Sequence, residues 1–103
     1  MLEEELPLVI IGSKKPPLSY VTAILTHFNT GCNSVKVRAR GVGIINMARV
    51  VNLLRESFIK DLSIEGWKIE KDSIEVPGGG IKHLSSLELM ICKRKRAATA
   101  KSL

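Results

Sequence analysis

The sequence predicts an α+β fold, a βαβαββ two-layer sandwich in which two helices lie on a four-stranded mixed sheet and the last two strands form an extended hairpin. Three observations predict it. Short apolar or alternating runs, from Leu6 to Ile11 and from Val35 to Arg40, are too short for helices and rich in branched residues. Two longer stretches repeat apolar residues at helical spacing, and a Pro-Gly-Gly-Gly sequence separates two further alternating runs.

In chain order, Leu6-Pro7-Leu8-Val9-Ile10-Ile11 reads as a buried strand ended by Gly12. Gly12-Ser13-Lys14-Lys15-Pro16-Pro17 is a turn, with Pro17 suited to the first helical position. Leu18, Val21, Ile24, Leu25 and Phe28 form one stripe of a helix from about 17 to 29, and Gly31 ends it. In the second strand Val35, Val37 and Ala39 alternate with Lys36, Arg38 and Arg40, which puts apolar groups on one face and cations on the other. Gly41-Val42-Gly43 turns the chain into a helix from about 43 to 58.

The apolar arc of that second helix is wider than a sheet-packed helix needs. Ile44, Met47, Val51, Leu54 and Phe58 can face the sheet, while the flank carrying Val50 and Leu53 calls for another partner. A subunit interface is the economical expectation for that flank, with extra burial inside the monomer as the alternative; the candidate interface residues are Val50, Leu53, Leu54 and Phe58. Leu62 and Ile64 alternate, Gly66 breaks the phase, and Trp67 and Ile69 resume it one residue later, the mark of a bulge. Pro77-Gly78-Gly79-Gly80 is the hairpin tip, and the return strand runs from Ile81 to Cys92. The chain thus divides into an acidic N-terminal segment (1–5), one domain (6–93) and a basic, flexible tail (94–103).

The 103 residues can bury roughly 60 to 70% of their unfolded surface in a single core. With 45% hydrophobic and 25% charged residues, the composition argues against disorder for most of the chain. No apolar run reaches a membrane span, and Glu3-Glu4-Glu5 is acidic where a secretory signal is basic. An intracellular protein with no membrane partner is expected. Cys32 and Cys92 lack a paired spacing and read as reduced thiols, and His27 and His83 add no ligand motif, so neither a metal nor a cofactor is expected.

Charge is distributed unevenly. From Leu6 through Arg55 there is no Asp or Glu, while Lys14, Lys15, Lys36, Arg38, Arg40, Arg49 and Arg55 accumulate; the net charge is +6. Acids return between Asp61 and Glu75, where a solvated strand face explains them. The leading β-α-β unit should hold two adjacent parallel strands, whose carboxyl ends bring Lys14 and Lys15 beside Arg38 and Arg40. The following helices aim their unpaired N–H groups at that same edge, where anions bind in open α/β sheets.

Other chemistries fit poorly. Gly41-Val42-Gly43 has Asn46 at the third glycine position of a dinucleotide fingerprint, and the lysine loop lacks the spacing of a P-loop. For Ser13, Ser19, Ser85 and Ser86 the sequence prompts no histidine–acid partner, so catalysis is not expected. Tyr20, Phe28, Phe58 and Trp67 form no evident platform for stacking single-stranded bases. Contact with a nucleic-acid backbone, weakly selective and salt-sensitive, is the expectation.

Ile11-Gly12 followed by Lys14-Lys15-Pro16, then Tyr20-Val21 with Ala23 and Leu25, Gly31, and Val37-Arg38-Ala39-Arg40-Gly41, resemble the Alba family of archaeal chromatin proteins over roughly residues 8 to 93. The resemblance implies a dimer that binds double-stranded DNA, and often RNA, with little sequence preference. It implies that Lys14 and Lys15 are loop lysines that contact nucleic acid, one of them an acetylation target, with Arg40 and Arg38 beside them. It also implies that Phe58 is the helix-end aromatic through which dimers touch, and that the hairpin is an arm along the minor groove. Residence in the cytoplasm on the chromosome, or in the nucleus of a eukaryote, follows from the same likeness.

Val42 stands where the family usually has another arginine, Asn46 where a lysine is common and Arg49 where an acid is common. Asn46, Arg49 and Lys82, the single cation of the hairpin tip, complete the candidate contact set. The acidic outgoing strand of the hairpin also motivates a second reading. In it the chain is an assembly subunit that pairs with a paralogue, or joins an RNA-protein particle such as ribonuclease P, with weak DNA binding of its own.

Overall fold

A computed structural model describes residues 5–93; residues 1–4 of the acidic segment and the whole of the basic tail, 94–103, lie outside the described residues. The elements follow the order β1 (Leu8–Ile11), α1 (Pro17–Asn29), β2 (Ser34–Arg40), α2 (Gly43–Ser57), β3 (Ser63–Glu75) and β4 (Ile81–Cys92). Strand β1 starts after Pro7, which has no N–H to give a ladder but whose carbonyl accepts the Lys36 amide at 2.9 Å. Helix α1 has Pro17 in its first turn and keeps its predicted bounds.

The sheet order is β1-β2-β4-β3. Strands β1 and β2 run parallel with Val9 opposite Val37 and Ile11 opposite Ala39, as the β-α-β reading predicts. Strand β4 is antiparallel to both neighbours and sits between β2 and β3, so the hairpin's return strand, not its outgoing one, joins the basic strand. The expected bulge lies between Ile64 and Gly66: Ile64 pairs with Ile91 and Gly66 with Met90, leaving Glu65 as the extra residue. No helix among the described residues is long and apolar enough to cross a membrane.

Both helices pack over β1 and β2 and against each other. Between them lies the core, in which Val21, Ile24 and Phe28 of α1 and Met47, Val50, Val51 and Leu54 of α2 meet Val9, Ile11, Val35, Val37, Ala39 and Ile91 of the sheet. Full burial of each such side chain stabilises the fold by about 1.5–3 kcal/mol. This arrangement corrects the interface expected on α2. Val50 and Leu54 are wholly buried within the monomer and Leu53 packs against the same core, because α1 covers the flank that the sheet leaves open. Of the four residues assigned to that interface, Phe58 is the exposed one, at 47%.

The helices do not reach over β3. On the helix side of the sheet Ile64, Trp67 and Ile69 stand 43%, 70% and 64% exposed, beside the partly buried Leu87 and Leu89. Phe58, which ends α2, is also exposed. The hairpin thus carries three neighbouring apolar side chains without cover, while on α2 the exposed large apolar side chain is Ile45, at 61%.

Candidate nucleic-acid interface

Two turns lie at the carboxyl edge of the parallel strands. The first, 12–16, carries Lys14 and Lys15, both exposed. The second passes from Arg40 through Gly41, whose φ of 59° favours glycine, and Gly41 donates its N–H to the Ser85 carbonyl at 2.8 Å. Helix α2 then starts so close to β1 that a Cβ on Gly43 would lie 2.9 Å from the Ile11 carbonyl oxygen. The start of α2 is thereby set directly against the end of β1.

Neither helix has a side-chain cap or an acidic residue in its first turn. Ser19, Ile44 and Ile45 already donate their N–H groups to the carbonyls of Pro16, Gly41 and Val42, so what each helix start offers an external anion is chiefly its partial positive charge. Among the described residues, Lys14, Lys15 and Arg49 take part in no ion pair. Arg49 is exposed on α2, three residues beyond Asn46. Arg40, half-exposed at the end of β2, has Asp72 Oδ2 3.7 Å from its Nη1.

Arg38 does not join that edge. It projects from the sheet face opposite the helices, where Nη2 donates to Asp72 Oδ2 and Oδ1 at 3.2 and 3.3 Å and to Ser86 Oγ at 3.3 Å. Its Nη1 donates to Glu70 Oε1 at 3.4 Å and lies 3.6 Å from Glu88 Oε1. Desolvation works against the charge, but the Asp72 and Glu70 carboxylates outweigh it and raise the guanidinium pKa above its ordinary value. The acids read as a solvated strand face thus surround a cation read as a phosphate ligand.

Asn46 also differs from expectation. It is buried, and its amide nitrogen donates to the carbonyls of Gly12 and Lys15 at 2.8 and 3.0 Å, so it holds the first turn instead of facing an incoming ligand. Lys82 is exposed four residues along β4 from Ser86, the register partner of Arg40, which separates it from the edge by about 13 Å at ~3.3 Å per residue. A shallow cavity of about 150 Å³ lies between Ile10, Arg38, Ala39, Arg40 and Asp72.

Three of the four aromatics stand away from the edge, and the fourth, Tyr20, is tied to its first turn. Phe28 is buried in the core, Phe58 and Trp67 are exposed apart from it, and the Tyr20 hydroxyl accepts the Gly12 N–H at 3.1 Å. Tyr20 is the residue that sequence reasoning missed, since a lone tyrosine in a helix carries no sign of a partner eight residues upstream.

The sequence that builds this sheet order matches a known family. The Alba family model matches residues 8–70. The chain belongs to the Alba family. It is 33% identical over 86 residues to DNA/RNA-binding protein Alba 1 of Archaeoglobus fulgidus, covering 84% of this chain and 94% of that protein. It is 34% identical over 91 residues to DNA/RNA-binding protein Alba of Methanocella arvoryzae, covering 88% and 94%. In structure it superposes on Alba from Thermoplasma volcanium with a TM-score of 0.75 at 28% identity, over 82% of this chain and 98% of that one. ALBA1 from Trypanosoma brucei shares the fold, with a TM-score of 0.69 at 17% identity over 90% and 74% of the two chains.

Proposed function

We propose that this Alba-family chain is a dimeric, non-enzymatic protein that binds double-stranded DNA through its phosphates, with little sequence preference, and takes RNA as a further ligand. The observation that carries the reading is the acid-free edge, where Lys14 and Lys15 sit beside two uncapped helix starts. The relatives' name, DNA/RNA-binding protein Alba, supports nucleic acid as the anion. Phosphate contacts fix position without reading sequence, and the aromatic at the edge, Tyr20, has its hydroxyl engaged by the Gly12 N–H. Acetylation of either exposed lysine would remove one contact.

The bare helix-side surface of Ile64, Trp67 and Ile69, with Phe58 exposed at the end of α2, supports a second copy of the chain as partner; of the interface set expected on α2, Val50 and Leu54 are instead buried within the monomer. Such pairing sets two lysine edges in one particle and raises the number of phosphates engaged together.

The test is competitive titration of duplex DNA, duplex RNA and single strands across a salt series, with sedimentation of the free protein. Lys14, Lys15, Arg40 and Arg49, taken as four phosphate contacts per protomer, give an expected slope of roughly −4 in log affinity against log salt. Duplex should outcompete single strands, and the protein should sediment as a dimer. Affinity independent of salt refutes phosphate binding, and a monomer at binding concentrations refutes the pairing.

A further inference from the structure

The turn that carries the two lysines is gripped from both sides. From one side, Asn46 donates both amide hydrogens, to Gly12 O at 2.8 Å and to Lys15 O at 3.0 Å. Both partners are carbonyls, so the amide nitrogen, the group's donor end, must face them, and the orientation of the side chain is fixed by its neighbours. From the other side, the Tyr20 hydroxyl takes the Gly12 N–H at 3.1 Å. Asn46 is 6% exposed, and the close approach of Gly43 to Ile11 O brings its helix near enough to make these bonds.

We infer that Asn46 and Tyr20 are positioning residues for phosphate binding, which act through the lysine turn and touch no phosphate themselves. The inference rests on the phosphate-binding reading of that turn. A free turn of four residues loses backbone freedom when its lysines settle on phosphates; a turn already tied at Gly12 and Lys15 loses less. The two ties bracket the lysines, with one end at Gly12 and the other at the carbonyl of Lys15 itself. Neither positioning residue carries charge, so their contribution is separable from electrostatic attraction.

Asn46→Leu retains volume and net charge but cannot donate. It is expected to lower duplex affinity roughly three- to tenfold, the loss of one or two hydrogen bonds' worth of ordering. Amide hydrogen exchange at Gly12 should accelerate in the unliganded protein. In a Lys14→Ala/Lys15→Ala background the same substitution should change affinity by less than about twofold, because nothing is left to position. Unchanged affinity in the lysine-bearing chain, or an equal loss with and without the lysines, overturns the inference.

If Asn46→Leu does not fold, Tyr20→Phe runs the same cycle, with a smaller loss in the same direction expected and the same two results overturning it. Failure of the underlying reading has its own signature. A Lys14→Ala/Lys15→Ala chain that binds as the native one does removes the lysine edge as the interface, and the positioning role falls with it, while exchange of the Gly12 N–H still reports whether its tie to Tyr20 exists.

Discussion

The cations of the turn edge and those of the open sheet face come from the same acid-free half of the chain and end in opposite circumstances. Lys14 and Lys15 have no carboxylate within ion-pair distance among the described residues. Arg38 is surrounded by Glu70, Asp72 and Glu88, and Lys36 shares Glu88 at 4.0 Å. Sequence charge measures supply; strand register decides what remains available to a ligand. The edge is free because turns and helix starts lie beyond the reach of β3. The sheet face is neutralised because β4 carries Glu88 to Arg38 and β3 leans Asp72 across it.

The largest effect that tests this contrast is expected at the edge. Lys14→Ala with Lys15→Ala should lower affinity for every duplex alike, roughly ten- to a hundredfold near physiological salt, and make the salt slope shallower by about 2. An unchanged slope would place the phosphates elsewhere. Next in size, Arg38→Met should leave Glu70, Asp72 and Glu88 facing one another without their shared cation. Thermal unfolding should shift down by several degrees while the salt slope holds, since Arg38 serves the fold. A stable variant whose slope becomes shallower by about 1 would return Arg38 to the phosphate set.

Much of the fold was legible in the sequence because its signals are local. Pro17, Gly41 and the Pro77–Gly80 tip punctuate the chain, and the phase slip at Gly66 marks the bulge within a few residues of its cause. Sheet order carries no such signal. The acids that hold Arg38 lie 32 to 50 residues away and meet it once β4 enters beside β2. Asn46 reads as a surface amide until the turn 31 to 34 residues upstream folds back onto it. The α2 arc shows how much apolar surface needs cover, yet α1, not a second subunit, covers Val50 and Leu54.

The smallest effect lies at the boundary between the two regions, where Arg40 belongs to both. Its guanidinium is half-exposed toward the edge, and Asp72 stands 3.7 Å away on the other side, already engaged more closely by Arg38. A phosphate approaching Arg40 therefore meets a carboxylate close behind the cation, which weakens the attraction without abolishing it. Asp72→Asn keeps the shape and removes that charge. Duplex affinity should rise by roughly two- to threefold at low salt, in keeping with a partly exposed pair, and the gain should fade as screening shortens toward 3 Å near 1 M salt. A fall in affinity would show that Asp72 orients Arg40 for phosphate instead of competing for it, and the line between the free edge and the neutralised face would then run through Arg40 rather than beside it.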